Sequence, residues 1–131
     1  FATDPGPEWT PLDFDFETDP ARLETMSTVY NGDNPDLSEF RAAGGKMIVW
    51  HGWADAIVTP YKTIEWYDQA AELAGGEDTL KENVALFMVP GLDHCGILPG
   101  PGGISAASLD PMTPMEAWLN DGTRPASILA E

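Results

Sequence analysis

Two short apolar runs separated by one helix-length stretch constrain this chain more than any other sequence feature. The runs at residues 46–51 and 84–89 are too short for helices, and each ends at Gly or Pro. Continuous apolar runs of this length are typical of strands covered on both faces, as in a parallel sheet. Between them a helix is predicted over 60–74, with Thr59 as its N-cap and a proline at its first position. The sequence therefore predicts a β-α-β unit with parallel strands and a right-handed crossover.

The remaining elements are too few to complete such a sheet. Further helices are predicted at 20–30, at 37–43 with Asp36 and Glu39 as a capping box, and from Thr113 to about residue 120. Two parallel strands with these helices cannot cover both faces of a sheet. We therefore expect residues 1–131 to be the end segment of a larger α/β domain. Within that segment a loop-rich lead-in occupies 1–35, and the last strands and helices occupy 36–131.

Charge excludes several classes of partner. The chain has 22 Asp and Glu against six Lys and Arg, for a formal net charge of −16. A surface this negative repels phosphate backbones and anionic lipid, so nucleic acid and membrane surfaces are not predicted partners. No apolar run approaches the roughly 18 residues of a membrane-spanning helix. The sequence begins at Phe1 without an initiator Met or a signal-peptide pattern, and so predicts a processed, truncated or excised chain.

Two polar loops follow the predicted strands and carry the candidate catalytic residues. Asp55 lies five residues beyond Trp50, and His94 lies five residues beyond Val89. Because parallel strands end at the same edge of a sheet, we expect the two side chains to come within hydrogen-bonding distance. An acid held against an imidazole fixes its tautomer and stabilises the imidazolium, as a general base requires. The order acid then histidine also fits the nucleophile, acid, histidine order of α/β-hydrolases.

Simpler interpretations of the same residues remain open. Asp55 could be a helix-capping or turn residue, and His94 could have a purely structural role. Asp93 is an alternative candidate for the acid. His51, in strand register, is predicted to be a packed core residue rather than a catalytic group. A nucleophile elbow of the Gly-x-Ser-x-Gly type is absent from this sequence. The serines that lack this setting are Ser27, Ser38, Ser105, Ser108 and Ser127.

Longer motifs around these residues resemble a known family. Residues 44–55 contain His-Gly-Trp-Ala-Asp, and residues 87–96 contain Pro-Gly-Leu-Asp-His-Cys-Gly. Both segments resemble the C-terminal part of the tannase and feruloyl esterase family. Residues 14–19, 34–40 and 117–125 are also similar to it, so the resemblance covers nearly the whole chain.

The resemblance implies an α/β-hydrolase with an inserted lid that cleaves feruloyl-type or galloyl-type aromatic esters. It implies that Asp55 is the acid of a catalytic triad, that His94 is its base, and that Cys95 forms a disulfide with a cysteine preceding the nucleophilic serine. Such a disulfide implies an oxidising compartment, so a secreted or periplasmic protein is expected. The predicted chemistry needs neither cofactor nor metal. The Cys-Ser element and the lid are not found in this sequence, so we expect the 131-residue chain to be inactive by itself.

Two rival functions remain. The chain could be a non-catalytic fragment or subunit that associates with a partner chain or with a second copy through an exposed sheet edge. It could also be an acidic calcium-binding module, since acidic residues occupy positions 1, 3, 5, 7 and 12 of the segment 13–24. Thr18 stands where a calcium loop needs Gly, and Pro20 further disfavours that function. The Gly-Pro run at 99–103 is predicted to be a turn-rich surface segment rather than a phosphate loop.

Overall fold

The computed structural model describes residues 6–96 and 104–130 of the 131-residue chain. The chain divides into two compact units, Phe1–Asn34 and Pro35–Glu131. The first five residues of the predicted lead-in, and the predicted turn-rich segment 99–103, lie outside the described residues. None of the described helices is both long and apolar enough to cross a membrane.

The N-terminal unit consists of a short 3-10 turn, Pro11–Asp13, and helix α1, Asp19–Tyr30. The prediction of a helix over 20–30 is confirmed, and the helix begins one residue earlier. The segment after it, which contains Asn31 and Pro35, has no regular structure, as its turn-forming residues indicate.

Two acidic side chains in the segment 13–24, the candidate calcium loop, accept hydrogen bonds from nearby residues. The Asp13 carboxylate accepts hydrogen bonds from the amide and the hydroxyl of Thr10, at 2.8 and 2.9 Å. Asp19 pairs with Arg22 at 2.6 Å. No group of three or more His, Cys, Asp or Glu suited to a metal ion occurs within the described parts of the chain. The calcium alternative therefore gains no support from the structure.

The second unit is built on the predicted β-α-β element. Strands β1, Met47–Gly52, and β2, Val84–Val89, pair in parallel, with Met47 opposite Val84 and Gly52 opposite Val89. Helix α3, Pro60–Ala74, connects them and ends at Gly75, whose φ of 89° is left-handed. The predicted strands, helix and parallel pairing are thus confirmed. Both strands end at the same edge, so the loops that follow them are neighbours.

The core of this unit lies between α3 and the sheet. Tyr67, Ala70 and Ala71 from α3 pack with Leu80 and Val84, which are both fully buried. Burying side chains of this size contributes about 1.5–3 kcal/mol each. The core thereby holds the crossover helix against the sheet and fixes the position of the loops that follow the strands.

Leu80 belongs to helix α4, Glu77–Lys81, which the sequence analysis did not predict. Five residues with one buried side chain give no helical periodicity. The helix therefore had no detectable pattern, although it closes one side of the core.

Two predicted helix caps are wrong in detail. Helix α2, Ser38–Ala42, is shorter than predicted, and its Asp36 accepts a hydrogen bond from the Ser38 amide at 2.9 Å, but Glu39 forms no capping bond. Thr59 does occupy the N-cap position of α3, but its side chain forms no capping hydrogen bond there. Thr59 therefore has the extended backbone of an N-cap residue but not the side-chain hydrogen bond that the sequence predicted.

The C-terminal helix α5, Met112–Asp121, begins before the predicted Thr113. Asp110 is the residue that accepts hydrogen bonds from the amides of Met112 and Thr113, both at 3.0 Å, so the predicted cap at Thr113 is wrong. Asp110 also belongs to a two-residue strand β3, Leu109–Asp110, which pairs antiparallel with β4, Leu129–Ala130. Strands this short carry no alternation in sequence and were not predicted.

Candidate active site

The loops that follow β1 and β2 are joined to each other through their backbones. The Trp53 amide donates to the Val89 carbonyl at 2.9 Å, and the Ala54 amide donates to the Leu92 carbonyl at 3.0 Å. Gly52 makes this approach possible, because a Cβ at that position would collide with the Leu92 carbonyl. The two loops therefore form one rigid support at the carboxyl edge of the sheet.

Asp55 is held by four hydrogen bonds. Its Oδ1 accepts from the amides of Ile57 and Val58 at 2.9 and 2.8 Å. Its Oδ2 lies 3.0 Å from His51 Nε2 and 2.9 Å from His94 Nδ1. The predicted hydrogen bond between Asp55 and His94 is thus confirmed as geometry, while the catalytic roles of the two residues stay predictions.

The environment of Asp55 favours its charged form. Burial, which leaves 5% of the side chain exposed, opposes ionisation by itself. The hydrogen bonds from the Val58 amide, the His94 ring, the Ile57 amide and the His51 ring outweigh that effect and hold the pKa of Asp55 well below its usual range. A fixed negative charge therefore lies beside both imidazoles at neutral pH.

The His94 ring has one nitrogen bound and one open. Because an ionised Asp55 can only accept hydrogen bonds, Nδ1 of His94 carries the proton and Nε2 carries the lone pair. No described residue hydrogen-bonds His94 Nε2, and 34% of this side chain is exposed. This tautomer and this exposure are what a general base needs in order to accept a proton from an incoming group.

His51 has a different role from the predicted one. Its ring does not simply pack in the core: it bridges Asp55 Oδ2 and, at 2.7 Å, the hydroxyl of Thr63 on α3. His51 lies on a strand and Asp55 follows it beyond a turn, so their four-residue spacing predicts no contact, whereas the same spacing within a helix would predict one. The contact with Thr63 depends on how α3 returns over the sheet, which the sequence pattern did not reveal.

The alternative acid, Asp93, does not reach the base. Asp93 forms no hydrogen bond with His94, and its Oδ1 is buried without a partner among the described residues. The structure therefore brings Asp55, and not Asp93, to the imidazole.

Cys95 follows His94 directly and is exposed. Its φ of 57° is left-handed, an unusual conformation for a residue with a Cβ. It is the only cysteine in the 131-residue sequence, so its predicted disulfide to another segment stays a prediction. The next residue, Gly96, is buried against Ala106, where a side chain would collide.

An open pocket of about 450 Å³ lies over this site. His51, Asp55 and His94 contribute its polar wall, and Trp50, Val58 and Leu92 are among its apolar lining residues. No serine is among the described residues that line it, in keeping with the missing nucleophile elbow. The site as described thus contains an oriented carboxylate–imidazole pair and an open space beside it.

Comparisons with known proteins concern the chain as a whole. The family model for tannase and feruloyl esterase matches residues 4–131. A probable feruloyl esterase of Arthroderma benhamiae is 31% identical over 82% of this chain and 20% of its own length. The mono(2-hydroxyethyl) terephthalate hydrolase of Piscinibacter sakaiensis is 32% identical over 91% of this chain and 20% of its own length. The chain thus spans about a fifth of the length of these relatives.

A solved structure supports the same relationship at the level of fold. An esterase from Aspergillus oryzae superposes with a TM-score of 0.73 at 24% identity, covering 94% of this chain and 26% of that one. The predicted fold class, part of an α/β-hydrolase, is thereby confirmed. With a family model that matches nearly every residue, the chain belongs to the tannase and feruloyl esterase family.

Proposed function

We propose that this chain is the C-terminal part of a secreted or periplasmic serine esterase that hydrolyses esters of aromatic carboxylic acids. Asp55 is its triad acid and His94 its base. The observation that carries the proposal is the 2.9 Å contact between Asp55 Oδ2 and His94 Nδ1, which leaves Nε2 open to the pocket. The relatives' names, a feruloyl esterase and a terephthalate monoester hydrolase, support an aromatic acyl group.

In the proposed reaction a serine from the remainder of the protein attacks the ester carbonyl, and His94 Nε2 accepts its proton. The imidazolium that forms lies 2.9 Å from the Asp55 carboxylate, which stabilises its charge. His94 then returns the proton to the leaving alcohol. In the second half of the reaction His94 activates a water molecule, which releases the aromatic acid. Backbone amides near the serine bind the oxyanion.

The chain's own contribution to the substrate site is one wall of the pocket. Trp50, Val58 and Leu92 offer apolar surface beside the acid and base, which suits an aromatic group. The remaining walls and the nucleophile come, in this proposal, from the part of the hydrolase that these residues do not include.

A partner is proposed because the sheet is small and has open edges. Among the described residues β1 pairs only with β2, and Trp50 within β1 is 41% exposed. Parallel sheets are normally covered on both faces and extended at their edges. The remainder of the hydrolase is the proposed partner, joined through a Cys95 disulfide, and pairing with a second copy of this chain is the alternative.

Ester hydrolysis tests the proposal directly. The purified 131-residue chain should not hydrolyse methyl ferulate, because none of its serines has a nucleophile elbow. The native assembly that contains the chain should hydrolyse it, and His94→Gln should abolish this activity. Mass measurement of that assembly with and without reductant should reveal a partner released from Cys95. Robust hydrolysis by the chain alone, blocked by a serine-directed inhibitor, would contradict the proposal.

A further inference from the structure

His51 lies in a chain of contacts that the proposed reaction does not use. Both of its ring nitrogens are occupied, Nδ1 by the Thr63 hydroxyl at 2.7 Å and Nε2 by Asp55 Oδ2 at 3.0 Å. Its side chain is 14% exposed, so water does not readily replace either contact. The Asp55 carboxylate is therefore tied at once to strand β1, through His51, and to helix α3, through Thr63.

The proton positions along this chain follow from which groups can donate. Oδ1 of Asp55 accepts hydrogen bonds from two backbone amides, so it cannot also carry a proton. Oδ2 lies beside one nitrogen of each imidazole ring. Both rings must then donate to Oδ2, His51 through Nε2–H and His94 through Nδ1–H. The Nδ1 of His51 then carries a lone pair and accepts a hydrogen bond from the Thr63 hydroxyl. The two histidines are therefore held in opposite tautomers.

We propose that His51, locked by Thr63, is a positioning residue that fixes the Asp55 carboxylate and thereby keeps His94 in its Nδ1–H tautomer. Its importance for catalysis rests on the proposed function, but the tautomer arrangement itself does not.

A second donor on Oδ2 has two physical effects. It holds the carboxylate oxygen at one place, so that His94 meets it in one orientation. It also draws charge from Oδ2, so the shared proton stays on His94 Nδ1 rather than moving to Asp55. The lone pair of His94 Nε2 is then always directed toward the open pocket, where the proposed serine would approach.

Nitrogen-15 correlation spectra of the imidazole rings test this inference on the chain itself. The sequence contains two histidines, so each ring is assigned without ambiguity from a single-histidine variant. In the pH range where both rings are neutral, we expect the Nδ1–H form for His94 and the Nε2–H form for His51. The same tautomer at both rings, or the reversed pair, would overturn the inference.

Variants then test whether His51 and Thr63 act on His94. In His51→Phe, which removes the second donor, His94 should change from the Nδ1–H form to a mixture of tautomers. In His51→Gln, whose amide can still donate to Asp55, the Nδ1–H form of His94 should largely return. Thr63→Val removes the contact that holds the other side of the His51 ring, and we expect the change at His94 to be smaller than in His51→Phe.

Thr79→Val is the matched control, since Thr79 is also helical and its hydroxyl forms no described hydrogen bond. It should leave both rings unchanged. Should His51→Phe fail to fold, Thr63→Val and the unmodified protein still decide the matter. An unchanged His94 tautomer in every folded His51 and Thr63 variant would overturn the inference.

These readouts separate the inference from the proposed function. Tautomers are measured without substrate and without a nucleophile, so an assembly that hydrolyses no ester leaves the inference standing. Conversely, if the assembly is an active esterase but the His94 tautomer does not change in the His51 variants, the proposed function stands and the positioning role of His51 is wrong.

Discussion

The loop after β1 and the loop after β2 hold their functional side chains in opposite ways. In the first, Asp55 has four hydrogen bonds and 5% of its side chain exposed. In the second, His94 has one hydrogen bond and 34% exposed, and it is followed by the left-handed backbone of Cys95. Asp55 is therefore held by groups of its own strand and loop, whereas His94 depends on Asp55 for its orientation.

This difference matches what each group would have to do in the proposed reaction. A residue that stabilises a charge works best when it does not move as the charge develops. A base that accepts a proton from one group and returns it to another must stay accessible on one side. Anchoring the acid and leaving the base partly open meets both needs.

Asp55→Asn should have the largest effect on activity, because it changes the side chain that is held by four hydrogen bonds. If the amide oxygen takes the place of Oδ1, the NH₂ group lies against both imidazole nitrogens and favours the wrong tautomer of His94. In the other orientation the NH₂ group faces the two backbone N–H donors of Ile57 and Val58. In the native assembly we expect kcat for methyl ferulate to fall by about 10³–10⁴-fold. Asp93→Asn is the control, since the Asp93 side chain forms no described hydrogen bond with the His94 ring, and it should change kcat little. Equal losses in the two variants would contradict the assignment of the acid.

Gly52→Ala tests the backbone contact between the loops. The new methyl group would collide with the Leu92 carbonyl, so the loops must separate, and we expect the free energy of unfolding to fall by about 1–3 kcal/mol. Urea unfolding measures this change. Gly32→Ala is the matched control, because no heavy atom lies within 4 Å of its added Cβ. A Gly52→Ala protein as stable as the control would show that the loops are not rigidly joined.

Acid titration of stability sharpens the comparison, since the pKa of Asp55 is lowered in the folded chain. A carboxyl whose folded pKa is lowered stabilises the fold above its unfolded pKa of about 3.9, and this contribution is lost as pH falls through the folded pKa. The stability difference between the wild-type chain and Asp55→Asn should therefore be complete above about pH 5, begin to shrink as the pH falls through about 4, and continue to shrink to well below pH 3. Urea midpoints measured from pH 7 downward test this, and a difference already lost near pH 4 would contradict it.

The smallest effect on stability is expected at Cys95, in the loop after β2. A left-handed backbone costs a residue with a Cβ about 1–2 kcal/mol, which Gly avoids. Cys95→Gly should therefore be more stable than Cys95→Ala by about 0.5–1 kcal/mol in urea unfolding, after allowance for the greater chain entropy of Gly in the unfolded state. If Cys95→Ala is the more stable of the two, the left-handed conformation is not retained in solution.

The sequence by itself determined the β-α-β unit and the pair of loops beyond it. Residues 47–50 and 84–89 are apolar throughout, and a short continuous apolar run bounded by Gly or Pro is a local signal for a buried strand. Because parallel strands end at one edge, placing Asp55 near His94 followed from chain positions alone. The family resemblance rested on the same two loops, whose motifs are contiguous in sequence.

Only the tertiary structure decided which side chains complete the site. The sequence left Asp93 open as an acid and placed His51 in the core, because a periodic pattern does not specify where a loop side chain points. Helix α4, strands β3 and β4 and the cap at Asp110 escaped prediction because each spans too few residues to produce a periodicity. The contact of His51 with Thr63 exists because α3 packs back over the sheet. Contacts of this kind depend on distances across the fold, which a local pattern does not encode.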